Sequence, residues 1–146
     1  MAALALALPA PPSAEHAPRR RVLIVDDEPA ICSALTSVLR RAGFDPVAAR
    51  DGLEADALLS DSIVALLLDL RMPHVRGDVF YFSAAARFPA LRRRTLFITG
   101  DISPEGERLI AQTGCDCLLK PFPNAVLVSA LQTMLAELSG PSVAAR

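Results

Sequence analysis

A chain of 146 residues has room for one hydrophobic core, and a net charge of −1 excludes a general attraction to nucleic acid or anionic membrane. No Trp and a single Tyr leave little material for stacking on bases. Three cysteines, an odd number, do not make a disulfide framework and fit a reduced cytoplasmic setting. Residues 1–18 are rich in Ala, Leu and Pro, with Pro9, Pro11, Pro12 and Pro18, and read as a flexible arm because the prolines prevent regular structure. The Ala-Leu stretch lacks the basic start of a secretion signal, since basic residues come only at Arg19, Arg20 and Arg21. Residues 19–139 read as one domain and 140–146 as a loose tail.

Val22 to Val25 is a short apolar run ending at Asp26, Asp27 and Glu28, and predicts a first strand. Pro29 suits the first turn of a helix, in which Ile31, Leu35, Val38 and Leu39 recur at helical spacing until Gly43 stops it. Phe44 to Ala49 is a second strand, and its Asp45 and Pro46 suggest a sheet edge, where a missing donor is tolerated. Asp51 can cap a second helix through Leu53, Ala57 and Leu58. Six apolar residues, Ile63 to Leu68, are too few to span a membrane and suit a strand buried on both faces. That strand ends at Asp69, and Pro73 soon forbids further pairing.

A third helix follows Gly77, from about Asp78 to Phe88, and Pro89 stops it. Thr95 to Thr99 is a β-branched, apolar fourth strand. Ser103, Pro104 and Glu105 start a fourth helix that runs to Thr113 and ends at Gly114. Asp116 to Leu119 is a fifth strand, followed by Lys120, Pro121 and Phe122. A last amphipathic helix covers Asn124 to Leu138, with Val128, Leu131, Leu135 and Leu138 on one face. Five strands alternating with five helices over short connections predict a doubly wound parallel sheet in the order 2-1-3-4-5.

In such a sheet Asp26, Asp27, Asp69, Thr99 and Lys120 all stand at carboxyl ends of strands, the edge where open α/β sheets bind ligands. Carboxylates about 4 Å apart repel by roughly 4 kcal/mol at an effective dielectric of about 20. A divalent cation relieves that repulsion. Oxygen ligands without His or Cys point to a hard ion, Mg²⁺ before Ca²⁺ or Zn²⁺. A carboxylate beside Mg²⁺, a hydroxyl and an ammonium is a place where a phosphoryl group can arrive. Lys120 and the metal would neutralise its oxygens, Thr99 would donate a hydrogen bond, and Asp69 would be the nucleophile.

Asp26-Asp27, Asp69-Leu70-Arg71-Met72-Pro73 with Gly77, Thr99-Gly100 and Lys120-Pro121-Phe122 resemble the receiver domain of two-component response regulators, over about Arg21 to Leu138. The resemblance implies a flavodoxin-like fold and a phosphoacceptor module of a phosphorelay, phosphorylated at Asp69 by a sensor histidine kinase or phosphotransfer protein. It implies Mg²⁺ held directly by Asp27 and Asp69, through water by Asp26, and by the backbone carbonyl of Arg71. It also implies a cis bond between Lys120 and Pro121. Beyond self-phosphorylation and autodephosphorylation no enzyme activity is expected, nor direct DNA binding or membrane insertion. Cys117 stands where receivers usually carry Tyr or Phe, and the segment from Gly114 to Lys120 is one residue shorter than the common form. The usual threonine–aromatic switch thus lacks its ring. Similar shortened segments occur in receivers attached to hybrid histidine kinases, so both a free-standing receiver and one of that kind remain open.

Two other classes are weaker. An aspartyl-nucleophile phosphohydrolase would place a second Asp two residues after Asp69, where Arg71 stands. A pseudo-receiver scaffold would not need the complete set of Asp26, Asp27, Asp69, Thr99 and Lys120. Cys32, Cys115 and Cys117 read as small buried packing residues, and His74 and Arg92 to Arg94 as solvated loop residues. Arg71 and Asp101, each two residues beyond a site residue, could form a lid over the site.

Overall fold

The computed structural model describes residues 20–72, 75–100 and 102–139; the expectations for residues 1–18, His74, Asp101 and the tail 140–146 lie outside them. In chain order the elements are β1 (Arg21–Val25), α1 (Pro29–Arg41), β2 (Asp45–Ala49), α2 (Gly52–Leu58) and β3 (Ile63–Asp69). Then follow α3 (Gly77–Arg87), a short 3₁₀ helix (Pro89–Arg93), β4 (Thr95–Thr99), α4 (Pro104–Thr113), β5 (Asp116–Leu119) and α5 (Asn124–Ser139). The strands are all parallel, in the order β2-β1-β3-β4-β5, and form the flavodoxin-like sheet expected from the alternation of elements.

Local chemistry sets most of the boundaries. Pro29 opens α1, and Gly43, at φ 91°, takes the chain out of it in a conformation that side chains other than glycine rarely adopt. Asp51 caps α2 by accepting from the Glu54 N–H, and Ser103 caps α4 by accepting from that of Gly106. Alternate residues of the central strands feed two cores. Leu23, Val25, Leu66, Leu68 and Phe97 pack under α2, α3 and α4. Val22, Ile24, Leu67, Leu96 and Ile98 pack under α1 and α5.

Register carries the strand ends to one line. Val25 pairs with Leu68, Asp69 with Ile98, and Thr99 with Leu119. Asp26 therefore emerges beside Asp69, and Lys120 emerges one residue beyond the partner of Thr99.

Helix α2 forms after Asp51 as expected, but Leu53, Ala57 and Leu58 all lie exposed on it. Leu53 is 69% exposed and Leu58 39%, whereas Gly52 and Ala55 are buried. A Cβ on Gly52 would lie 2.7 Å from Cβ of Val75. The short helix is thus pressed inward on its small residues, which turns its leucines out. In α5 the buried residues are Leu127, Leu131 and Leu135; Val128 is half-buried, and the Leu138 side chain lies outside the described set. Arg92 and Arg93 sit exposed on the 3₁₀ helix, which buries Leu91, and Arg94 follows it half-buried rather than solvated. Arg20 and Arg21 tie down the sheet edge. The Arg20 guanidinium lies 5.2 Å from the centre of the Phe44 ring, and Arg21 Nε is 3.1 Å from Asp45 Oδ2. No helix among the described residues is long and apolar enough to cross a membrane.

This packing separates two leucines of equal chemistry. Leu67→Ala, at a fully buried position of β3, should cost about 2–5 kcal/mol, whereas Leu53→Ala should change stability by no more than about 0.5 kcal/mol. Urea unfolding midpoints of the two variants check this.

Candidate functional site

Asp26 follows β1 and is fully buried. Its Oδ1 accepts from the Glu28 N–H at 3.0 Å, and its Oδ2 from Lys120 Nζ at 2.6 Å. Asp69 closes β3, with Oδ1 accepting from the Arg71 N–H at 3.1 Å and Oδ2 at 3.5 Å from Lys120 Nζ. Lys120 follows β5 and is held there by its own N–H, which donates to the Thr99 carbonyl at 2.7 Å. Thr99 ends β4 and is fully buried. Asp27 is exposed, and the Lys120–Pro121 bond is cis.

One cleft of about 290 Å³ is lined by Asp27, Glu28, Asp69, Arg71, Thr99, Gly100 and Lys120. The structure thus brings together Asp27, Asp69, Thr99 and Lys120 with Arg71 at the rim, and sets Asp26 beneath them against Lys120. A neighbouring cavity of about 450 Å³ meets this cleft at Asp27 and Arg71 and runs toward the first turn of α4.

The electrostatics follow from burial. Desolvation pushes the Asp69 carboxyl up to about 6, with the Asp26 charge adding to the rise and the Arg71 N–H and Lys120 opposing it. Burial alone would lower the Lys120 ammonium, but its hydrogen bond to Asp26 and the charges of Asp69, Asp26 and Glu28 together raise it. Asp26, Asp27 and Asp69 each offer an oxygen within 4.8 Å of the others. An octahedral Mg²⁺ with ligands at about 2.0–2.1 Å spans about 4 Å between opposite oxygens. The all-oxygen set therefore fits a hard divalent cation, with small adjustments or a bridging water.

Two contributors to the site carried no role in the sequence reading. Glu28 lines the mouth, and the only signal for it was its place in the acidic run after β1. Gly77 was part of the motif, but its reason is steric: a Cβ there would lie 2.2 Å from the Asp69 carbonyl oxygen. The N–H of Gly77 donates to the Leu70 carbonyl at 3.2 Å, so α3 begins against the backbone that presents Asp69. The three cysteines are free thiols. Cys32 is buried as expected, its thiol donating to the Asp26 carbonyl at 3.2 Å, but Cys115 and Cys117 are only half-buried. Burial raises the Cys117 thiol, which suits packing rather than reactivity.

The family model of the response regulator receiver domain matches residues 22–132. The chain is 42% identical over 121 residues to the DNA-binding response regulator MtrA of Mycolicibacterium smegmatis, a match that covers 80% of this chain and 51% of that protein. It is 33% identical over 120 residues to the transcriptional regulatory protein CpxR of Escherichia coli K12, covering 79% and 49%. The chain spans about half the length of these curated relatives. A crystal structure of a CheY-like receiver domain protein from Methanospirillum hungatei superposes with a TM-score of 0.75 at 25% identity, covering 82% of this chain and 95% of that one. The sheet order and the strand-end motifs thus have their counterpart in sequence, and the chain belongs to the receiver domain family of two-component response regulators.

The site predicts a pH dependence of metal-free stability. Asp69 titrates near 6 in the folded chain and near its ordinary value of 3.8 when unfolded. The folded state therefore binds more protons between those values, and stability falls as pH rises through them. Asp69→Asn should match wild type below about pH 4, gain on it up to about pH 6 and keep a constant lead above. Urea titrations in chelator at several pH values read this out. Gly77→Ala should destabilise by about 1–3 kcal/mol through the clash with the Asp69 carbonyl, measured the same way.

Proposed function

We propose that the chain is the phosphoacceptor module of a two-component phosphorelay, taking a phosphoryl group onto Asp69 and changing its partner-binding surface in response. The observation that carries this reading is the pair of groups holding the Asp69 carboxylate, the Arg71 N–H and Lys120 Nζ, in a cleft that Thr99 also lines.

Asp69 Oδ2 has the longer of the two contacts, at 3.5 Å, and is the oxygen best placed to attack. Its bond to phosphorus forms as the phosphorus–nitrogen bond of a partner's phosphohistidine breaks, and the imidazole leaves. A carboxyl titrating near 6 is mostly ionised at neutral pH yet more basic than a solvated one, which suits a nucleophile. Lys120 lies close enough to Asp69 to transfer a donor onto the new phosphoryl oxygens without leaving Asp26. Thr99 supplies a hydroxyl from the end of β4, and the Arg71 N–H keeps the other Asp69 oxygen oriented. Mg²⁺, held by Asp27 and Asp69 directly, by Asp26 through water and by the Arg71 carbonyl, would supply the remaining positive charge.

Residues 19–139 make the receiver domain in this reading, flanked by the arm 1–18 and the tail 140–146. The family is one of signalling modules rather than enzymes. Here the chemistry is confined to self-phosphorylation and autodephosphorylation. The chain acts in the cytoplasm, and its partners are a sensor histidine kinase or phosphotransfer protein and a downstream protein.

With Mg²⁺ and a small acyl phosphate, intact mass should rise by one phosphoryl group, and the shift should vanish in Asp69→Asn. A shift that persists in that variant overturns the assignment. Asp27→Ala should weaken Mg²⁺ binding by more than about tenfold, or about 1.4 kcal/mol, measured by calorimetry.

A further inference from the structure

We infer that Glu28 is a specificity-determining residue, whose charge, set against Lys120 at the mouth of the cleft, disfavours free anionic phosphodonors and favours donors that carry positive charge beside the phosphoryl group. This inference rests on the function proposed above.

Two observations meet at this residue. Glu28 occupies the N-cap of α1, where a side chain ordinarily accepts from the first turn, yet its carboxylate makes no such hydrogen bond. That carboxylate instead lies 3.9 Å from Lys120 Nζ, on an exposed residue that lines the cleft. The Glu28 N–H donates to Asp26, which anchors the residue beside the lysine.

The consequence is electrostatic. Among the described residues, Asp27, Glu28 and Asp69 at this mouth, with Asp26 buried beneath them, face two cations, Arg71 and Lys120. Three of the carboxylates are the proposed metal ligands, so a divalent ion offsets their excess. Glu28 is the fourth, and it is outside that set. It competes with an incoming phosphoryl group for Lys120 and repels a dianion that approaches through solvent. A donor with a cation next to its phosphorus, as a protein can provide beside a phosphohistidine, meets attraction at the same place. Charges at the rim of a site act mainly on the rate of encounter and on the choice of partner.

The test uses the full chain with saturating Mg²⁺, fixed separately for each variant, and follows phosphorylation by intact mass over time. The donors are acetyl phosphate, which leaves as acetate when its phosphorus–oxygen bond breaks, and phosphoramidate. The latter carries its proton on nitrogen and leaves as ammonia. Glu28→Gln should raise the acetyl phosphate rate about three- to tenfold at low salt, and phosphoramidate by less. Glu28→Lys should move the ratio further the same way. The gain should shrink as ionic strength rises past about 0.1 M, because the charge is exposed. A donor ratio equal in wild type and both variants, or a gain insensitive to salt, overturns the role of Glu28 while leaving Asp69 phosphorylation intact. No phosphorylation of wild type by either donor overturns the phosphoacceptor reading and the inference with it. Because the side chain forms no cap, neither variant removes a folding contact of α1, and unchanged urea midpoints serve as the control.

Discussion

Lys120 crosses the carboxyl edge of the sheet to meet Asp26 at 2.6 Å, and the arrangement of the site depends on that ion pair. The parallel register brings Asp26 and Asp69 to adjacent strand ends, and burial deprives both of water. Burial pushes the Asp69 carboxyl upward, and the Asp26 charge beside it adds to the rise. The ammonium makes the pair tolerable: it bonds to Asp26, stands 3.5 Å from Asp69, and stays charged because both acids hold its proton. Losing one partner of such a buried pair leaves the other uncompensated, which is far costlier than never having built the pair.

The sheet was legible because the strands announce themselves. Ile63 to Leu68 and Thr95 to Thr99 are buried throughout, or nearly so, and their apolar runs end at the site residues Asp69 and Thr99. Caps were legible for the same local reason: Asp51 and Ser103 accept from the N–H groups that their positions imply. What was hidden depends on distance in the chain. The outward leucines of α2 follow from Gly52 meeting Val75, and no periodicity within seven residues reveals that. The burial of Leu91 in a 3₁₀ turn is masked by the arginines that follow it.

The candidate site divides the same way. Asp26, Asp27, Asp69, Thr99 and Lys120 could be read because each ends or follows a strand, so topology alone converges them. Glu28 could not, since its importance comes from a lysine 92 positions later and not from its neighbours. On the opposite side of Asp69, Leu70 is buried and its Cδ2 lies 3.1 Å from where a Cβ of Gly106 would stand. The first turn of α4 therefore rests on the residue next to Asp69. Cys117, where the family usually has a ring, contributes only a half-buried thiol to the same core. In this chain Leu70 lies in one core with Ile110 of α4, Leu68 of β3 and Phe97 of β4.

Strand β5 has four residues, lies at the margin of the sheet and has no fully buried side chain, yet it delivers Lys120. The lysine backbone is secured by one hydrogen bond to the Thr99 carbonyl just beyond that strand. Marginal strands are the first to open in native fluctuations. Fraying of β5 therefore withdraws the ammonium from Asp26 and Asp69 in the same motion. The relation is reciprocal by linkage. Whatever draws Lys120 deeper into the cleft slows amide exchange along β5, and whatever clamps the outer face of β5 steadies the charge that the two aspartates share.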